Sequence, residues 1–132
     1  MHVIDATKEQ VSINTPYNRI ISLVPSTTES IIHLQAQETL IGVTRFCCHP
    51  KEYTKNLPKV GGTKSLDFAR IKALQPDLIL ANKEENRKED ILYLRSQGYT
   101  VYVAFPCTVE EALHEIEILA SLLHKPILNT CK

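Results

Sequence analysis

The sequence predicts an α/β domain with three layers, Rossmann-like, in which helices cover a mostly parallel sheet of about five strands and an N-terminal hairpin is added. Short apolar, β-branched runs alternate with amphipathic stretches along the chain, and the connections between them are short. Three of the stretches begin with a capping-box pattern. At 132 residues, the chain has the length of one domain.

The first predicted elements are a hairpin, a strand and a helix that directly follows the strand. Two short β-branched pieces flank a polar centre in residues 3–13, which predicts a hairpin. Residues 20–24 are a buried strand that ends at Pro25. Ser26 and Glu29 then form a capping pair that opens a helix running to about residue 37.

The middle of the chain alternates in the same way. Residues 40–44 (LIGVT) predict a second buried strand, and residues 51–55 a helical turn. The double glycine of residues 60–64 (VGGTK) indicates a very short strand or a bend. Apolar residues at helical spacing predict a helix over residues 67–74, which Pro76 ends.

The last third completes the alternation. Residues 77–81 (DLILA) and 100–105 (TVYVAF) are predicted strands. A helix capped by Asn86 and Glu89 ends at Gln97, before Gly98. A third capping box opens the closing helix, which runs to about residue 123. Its two members are Thr108 and Glu111.

The least usual residues all follow the carboxyl end of a predicted strand. In chain order these segments are PSTTE, FCCHP, GGTK, NKEEN and FPC. Because the carboxyl ends of parallel strands share one edge of a sheet, we expect the five segments to meet there and form a binding site. No nucleophile-elbow, zinc-protease or dinucleotide-binding motif is present in the sequence.

Each segment also has a structural interpretation. PSTTE can serve only as a helix cap, and the two glycines can serve only to bend the backbone. Cys47 and His49 lie two residues apart, so an extended segment could present both to a zinc ion, yet cysteine is often a small core residue, as we expect for Cys48. Glu84 and Glu85 precede the predicted cap and should face the crevice.

Together these segments resemble the N-terminal lobe of helical-backbone (class III) periplasmic-type substrate-binding proteins, which serve ABC importers of cobalamin, haem and siderophores. The similarity covers residues 1–124 and leaves 125–132 as a tail. It is greatest to the cobalamin-binding, or helical backbone metal receptor, subgroup. The motifs that carry it are RIISLVPSTTE, FCCHP, GGTK, IKALQPDLI and NKEEN.

The resemblance implies a non-enzymatic lobe that holds a metal-bearing ligand, cobalamin-like or a metal chelate, at the edge formed by the strand-end segments. No resident cofactor is implied. The implied ligand contacts are Pro25, Ser26, Phe46, Cys47, His49, Gly62, Thr63, Lys64, Lys83, Glu84, Glu85 and Phe105, with Cys47 and His49 as metal ligands.

The sequence departs from the family pattern at three points. It stops where the helix that links the lobes should begin, so we expect one lobe whose exposed cleft edge allows self-association. Transport members carry a glutamate where this chain has Ala69, so docking to an ABC permease does not follow from the resemblance. Tryptophan is absent, which leaves Phe46, Tyr53, Phe68 and Phe105 as nearby aromatic residues.

Composition limits the remaining alternatives. The 15 basic and 15 acidic residues cancel, so we expect no nucleic-acid partner. No apolar run approaches the roughly 20 residues of a membrane span. Without a signal sequence a cytoplasmic location is expected, or a periplasmic one if a signal has been removed. A cytosolic metal-handling protein, metallochaperone or enzyme using Cys47, His49 and Glu84 or Glu85 is the second hypothesis, and an inactive truncated lobe the third.

Overall fold

The computed structural model describes residues 2–13, 17–46 and 51–124. In chain order the elements are β1 (His2–Ile4), β2 (Gln10–Ser12), β3 (Ile20–Ser22), α1 (Pro25–His33), a 3₁₀ helix (Gln37–Thr39), β4 (Leu40–Val43), α2 (Lys51–Thr54), β5 (Gly61–Gly62), β6 (Ser65–Leu66), α3 (Phe68–Leu74), β7 (Leu78–Asn82), α4 (Lys88–Ser96), β8 (Val101–Ala104) and α5 (Val109–Leu123). The predictions for Cys47, Cys48, His49 and the tail 125–132 lie outside the described residues.

The central sheet confirms the predicted α/β class. Its strand order is β4-β3-β7-β8, and every neighbouring pair is parallel. The predicted third strand differs: Lys59 forms a single parallel bridge with Val43, and β5 and β6 form a separate antiparallel hairpin. Backbone hydrogen bonds from Val43 to Pro58, from Val60 to Val43 and from Arg45 to Gly61 keep residues 58–61 along the edge of β4, although only Lys59 forms a bridge. The described sheet therefore has four strands rather than about five.

Two apolar clusters hold the three layers together. Alternate residues of each strand point to opposite faces of the sheet. One face packs under α1 and α5, and the other packs under α3 and α4. The first cluster includes Ile20, Leu78, Leu80, Tyr102, Ile31 and Leu122. The second includes Ile21, Ile79, Val101, Val103, Ile71 and Leu94.

The start of α1 corrects the predicted capping box of Ser26 and Glu29. The helix begins at Pro25, its N-cap is Val24, and no side chain caps it. Proline suits the first helical position because its φ is already helical and its missing N–H would have no partner in the helix. α1 also ends at His33 rather than near residue 37, because Gln35 adopts φ +61°.

The other two predicted caps have different outcomes. α4 has Arg87 as its N-cap without a side-chain cap, so the predicted pair of Asn86 and Glu89 is wrong. The cap of α5 is confirmed, because the Thr108 hydroxyl accepts a 3.0 Å hydrogen bond from the Glu111 N–H. The Glu111 carboxylate returns to the N–H of Cys107 at 2.7 Å.

The N-terminal hairpin of β1 and β2 is confirmed and is tied to the sheet through Asp5. The Asp5 carboxylate lies 2.6 Å from Nη2 of Arg95 on α4, and it accepts a 3.0 Å hydrogen bond from the Val103 N–H on β8. The side chain of Asp5 is fully buried. Within the described ranges, no helix combines the length and apolar character that a bilayer crossing requires.

Candidate ligand-binding site

The end of β4 lies beside the double-glycine hairpin. The Arg45 N–H donates to the Gly61 carbonyl at 2.9 Å, which joins the two segments. The next side chain, Phe46, is 52% exposed, and its ring centroid lies 5.0 Å from Cζ of Arg45. An aromatic face and a cation are therefore presented together where β4 ends.

The hairpin in turn contacts the segment that follows β7. The chain reverses between β5 and β6 at Thr63 and Lys64, which places Lys64 at the tip of the hairpin. Its Nζ donates to the backbone carbonyl of Glu84 at 3.0 Å. GGTK and NKEEN, 20 residues apart in the sequence, therefore meet at one edge of the sheet.

Asn86 joins three of the strand-end segments. Its side chain is buried, with the residue 2% exposed. Its Oδ1 accepts from the Asn82 N–H at 2.8 Å, and its Nδ2 donates to the Thr63 carbonyl at 3.0 Å and the Leu23 carbonyl at 3.4 Å. One amide thus fixes the end of β7, the hairpin and the end of β3 relative to one another.

The turn after β7 holds two carboxylates at the surface. The Asn82 side chain accepts from the N–H groups of Glu84 at 2.8 Å and Glu85 at 3.1 Å. Asparagine side chains commonly close such turns through their own backbone. Glu84 and Glu85 are both exposed, and that they face a ligand crevice stays a prediction from the sequence.

The end of β8 closes the same edge. The Lys83 N–H donates to the Ala104 carbonyl at 2.9 Å. The Lys83 ammonium lies 5.7 Å from the ring centroid of Phe105, which is 36% exposed. A second pairing of a cation with an aromatic ring is therefore present on this edge.

A cavity of about 160 Å³ lies between α1, α5 and the ends of β7 and β8. Ser26 lines it together with Asn82 and Ala104, the last residues of those strands. On its floor the Tyr102 hydroxyl donates to Oε1 of Glu115 at 2.7 Å. Burial first, and then this hydrogen bond and the Glu115 charge, raise the pKa of Tyr102 well above its usual value. With about 30 Å³ per water, the cavity holds roughly five waters, or one side group of a larger ligand.

The structure gathers the predicted site residues that it describes along one edge. Phe46, Gly62, Thr63, Lys64, Lys83, Glu84, Glu85 and Phe105 belong to segments linked by the contacts above, and Pro25 and Ser26 begin α1 beside the cavity. Cys47 and His49 lie outside the described residues. In the ranges that are described, no three His, Cys, Asp or Glu side chains are grouped to hold a metal ion.

Sequence reasoning missed three residues here: Arg45, Asn82 and Asn86. The only signal for Asn86 was an asparagine three residues before a glutamate, which also fits a helix cap. Asn82 carried the ordinary turn signal of an asparagine at a strand end. Arg45 directly precedes FCCHP, and nothing in its local sequence distinguished it from a solvated surface charge.

A profile of the family described as periplasmic binding protein matches residues 20–126. The chain belongs to this family. The family resemblance of the strand-end motifs is thereby confirmed, and family members are binding proteins.

Curated and solved members of the periplasmic binding protein family give the same result. The chain is 34% identical over 113 residues to the vitamin B12-binding protein of Vibrio campbellii, covering 86% of this chain and 41% of that protein. The periplasmic vitamin B12-binding protein BtuF of Vibrio cholerae superposes with a TM-score of 0.74 at 30% identity, over 83% of this chain and 41% of its own. The periplasmic haem-binding protein HutB of Vibrio cholerae superposes with a TM-score of 0.69 at 29% identity, over 80% of this chain and 41% of its own.

The chain spans about two-fifths of the length of the curated relatives it matches. Both solved relatives superpose on most of this chain. The similarity therefore covers the three-layer domain and its strand-end segments together.

Proposed function

We propose that residues 1–124 form the N-terminal lobe of a substrate-binding protein and that the edge described above binds a metal-bearing small molecule, cobalamin-like or a metal chelate. The observation that carries this proposal is the set of direct contacts that joins separate strand-end segments, above all the Asn86 amide between Leu23, Thr63 and Asn82. A preorganised edge of this kind lowers the cost of ordering loops on binding.

The names of the relatives support the choice of ligand class. The relatives are vitamin B12-binding and haem-binding proteins, and both ligands are broad macrocycles that carry a metal. Phe46 and Phe105 present exposed rings at two points of the edge, and exposed rings suit contact with a flat apolar ligand. The cavity beside Ser26 is too small for a macrocycle and suits one of its side groups.

The proposed contacts divide by chemistry. Phe46 and Phe105 would pack on the ligand, and Lys64 and Lys83 would approach its acceptor groups. Glu84 and Glu85 would accept from its donor groups. Pro25, Ser26, Gly62 and Thr63 would contact it through backbone and small side chains. Contacts and metal ligation by Cys47 and His49 stay predictions from the sequence.

An absorbance titration of the purified chain with cyanocobalamin, haemin and a ferric chelate tests this proposal. We expect a saturable spectral change, and a rise in the thermal unfolding midpoint, with at least one of the three. Phe46→Ala and Phe105→Ala should each weaken that binding by about tenfold, because each removes an aromatic contact of about 1 kcal/mol or more. Leu92→Ala, which removes an equally exposed apolar side chain from α4, is the matched control.

A wild-type chain that responds to none of the three compounds would contradict the proposal. Equal losses in Phe46→Ala and Leu92→Ala would contradict the assigned edge while leaving ligand binding in place.

The finer expectations on partners and compartment stay open to test. Ala69 is exposed on α3 and offers no carboxylate, so we do not propose permease docking through this position. The expected cytoplasmic location, or a periplasmic one after removal of a signal, stays a prediction from the sequence.

Self-association through the same edge is the remaining proposal. Phe46 is 52% exposed and Phe105 is 36% exposed, and paired copies would cover both rings. We expect the sedimentation coefficient to rise with protein concentration, and the double variant Phe46→Ser with Phe105→Ser to lower that rise. A concentration-independent coefficient in the wild-type chain would refute self-association.

A further inference from the structure

The guanidinium of Arg45 lies near both the Phe46 ring and Gly62 at the end of β4. Its Cζ lies 5.0 Å from the ring centroid of Phe46. On the side of the hairpin, a β-carbon at position 62 would lie only 2.9 Å from Nη2 and 3.1 Å from Cζ. Gly62 therefore leaves the space that the guanidinium occupies, and the Phe46 ring limits its movement.

The N–H groups of this guanidinium have no partner among the residues that the structure describes. Arg95 bonds to Asp5 and to the Val101 carbonyl, and Arg19 bonds to the carbonyls of Leu74 and Gln75. Within residues 2–13, 17–46 and 51–124, the Arg45 side chain has no hydrogen bond and no ion pair. An exposed arginine that lies beside an aromatic ring and Gly62, and whose N–H groups have no partner among the described residues, differs from Arg95 and Arg19.

We propose that Arg45 recognises an anionic group of the bound ligand, a carboxylate or a phosphate. This inference rests on the proposed ligand-binding function and specifies the ligand class. The planar fork of a guanidinium matches two oxygens of such a group at once. Packing by Phe46 and Gly62 holds the fork in place before binding, so less side-chain entropy is lost.

The other charged side chains on this edge offset one another, so the geometry of the Arg45 guanidinium, rather than the net charge of the edge, would recognise the anion. Lys64 and Lys83 lie on the same edge, and their ammonium groups contact the Glu84 carbonyl and the Phe105 ring. Glu84 and Glu85 are exposed on that edge and offset these cations. The open fork of Arg45 is therefore the group best placed to bind an anion.

Matched ligands that differ in their anionic groups test the inference. Haemin carries two carboxylates and its dimethyl ester carries none, and cyanocobalamin carries a phosphodiester that cobinamide lacks. We expect Arg45→Gln to weaken binding of haemin, or of cyanocobalamin, by tenfold or more. Binding of the other member of that pair, which lacks the anionic group, should change less than threefold. Which pair responds distinguishes a carboxylate from a phosphate.

Two further variants sharpen the result. Gly62→Ala should weaken binding of the same anionic ligand that Arg45→Gln affects, because the added methyl group displaces the guanidinium. Arg70→Gln removes an exposed arginine from α3 and should leave both members of each pair unchanged. Equal losses of both members in Arg45→Gln would overturn the inference while the proposed function stands.

A second measurement keeps the two proposals separable if the wild-type chain binds no macrocycle. The Arg45 Nε–Hε signal is followed by nuclear magnetic resonance during a titration with inorganic phosphate. A saturable shift in the wild-type chain supports the anion site even where the proposed function fails. No shift at phosphate concentrations up to the millimolar range, together with no macrocycle binding, overturns both proposals.

Discussion

Asn86 shows how one buried amide can organise a surface. Both ends of its side chain are used: Oδ1 accepts from Asn82, and Nδ2 donates to carbonyls of Leu23 and Thr63. An unsatisfied buried polar group costs about 1–3 kcal/mol. Removal of this amide would leave more than one backbone group without its hydrogen-bond partner.

We predict that Asn86→Ala lowers the free energy of unfolding by about 2–3 kcal/mol, because the Asn82 N–H and the Thr63 carbonyl lose their partner. Urea unfolding measures the change. Asn56→Ala removes an exposed asparagine and should change stability by less than about 0.5 kcal/mol. Equal losses in the two variants would show that the Asn86 contacts add nothing to stability.

The sequence could not predict the role of Asn86, because its partners are remote. Leu23 lies 63 residues away and Thr63 lies 23 residues away. A local pattern records only that an asparagine precedes a glutamate, and tertiary packing decides where the amide points. The meeting of Lys64 with Glu84 was predictable only in general terms, from the shared edge of parallel strands.

The starts of the helices also show that a local sequence pattern does not decide which side chain forms a contact. α1 and α5 both offered a hydroxyl residue three positions before a glutamate, at Ser26 and at Thr108. Only Thr108 caps its helix. Pro25 moves the N-cap of α1 two residues earlier, from Ser26 to Val24, since proline fills the first helical position, and Ser26 then lies inside the helix.

We predict that Thr108→Ala lowers the free energy of unfolding by about 1 kcal/mol, through loss of the hydrogen bond to the Glu111 N–H. Ser26→Ala should change it by only about 0.3 kcal/mol, because no cap is lost. Chemical denaturation of both variants measures the difference. A larger loss in Ser26→Ala than in Thr108→Ala would indicate that the sequence pattern, rather than the structure, identifies the cap.

The two glycines of the hairpin differ in backbone conformation. Gly61 adopts φ +99°, which an alanine reaches only with strain, while Gly62 does not require a positive φ. We predict that Gly61→Ala costs about 1–3 kcal/mol of stability and that Gly62→Ala costs less. Thermal unfolding of the pair measures this. Equal stability losses would place the strain elsewhere than at Gly61.

For whole strands and helices the sequence was a good guide. Apolar runs identified all four strands of the described sheet, and apolar residues at helical spacing identified α1, α3 and α5. α4 was predicted from a capping pair that is wrong, although its position along the chain is close to the predicted one. The exception was the stretch around Val60, where pattern could not distinguish a fifth strand from the single bridge at Lys59.

At the scale of the molecule, Asp5 ties the first strands to the last layer. Burial alone raises the pKa of Asp5, but hydrogen bonds from Thr7, Val103 and Glu9 outweigh burial and hold it below the usual value. A carboxyl group with a lowered pKa in the folded state stabilises the fold above its unfolded pKa of about 3.9. That contribution is lost as the pH falls through the folded pKa.

We predict that Asp5→Asn lowers the free energy of unfolding at pH 7 by about 3 kcal/mol, because it leaves the Arg95 guanidinium without its charge partner. The difference from wild type should begin to shrink below the unfolded pKa of about 3.9 and should be lost once the pH falls below the lowered folded pKa, where the wild-type carboxylate is itself protonated. Urea unfolding between pH 2 and pH 7 measures both. Glu52→Gln, which removes an exposed carboxylate, is the control, and a pH-independent difference would contradict this account.

The fold class was predictable at this scale because alternating strands and helices admit few topologies. The shared edge followed from it. The cavity beneath α5 was not predictable, since it depends on how far Ile116 and Leu119 stand from Tyr102 in the packed structure. Val109 and Leu113 continue the predicted apolar stripe of α5, yet they are 77% and 58% exposed.

The pairing of Tyr102 with Glu115 gives the protein a built-in optical reporter. The chain has five tyrosines and no tryptophan, so its ultraviolet emission comes from phenol rings alone. A phenol whose hydroxyl is bonded to a carboxylate emits weakly, so we expect the emission of Tyr102 to be quenched while the pair persists. A compound that enters the cavity and separates the two groups would brighten the emission without any attached dye.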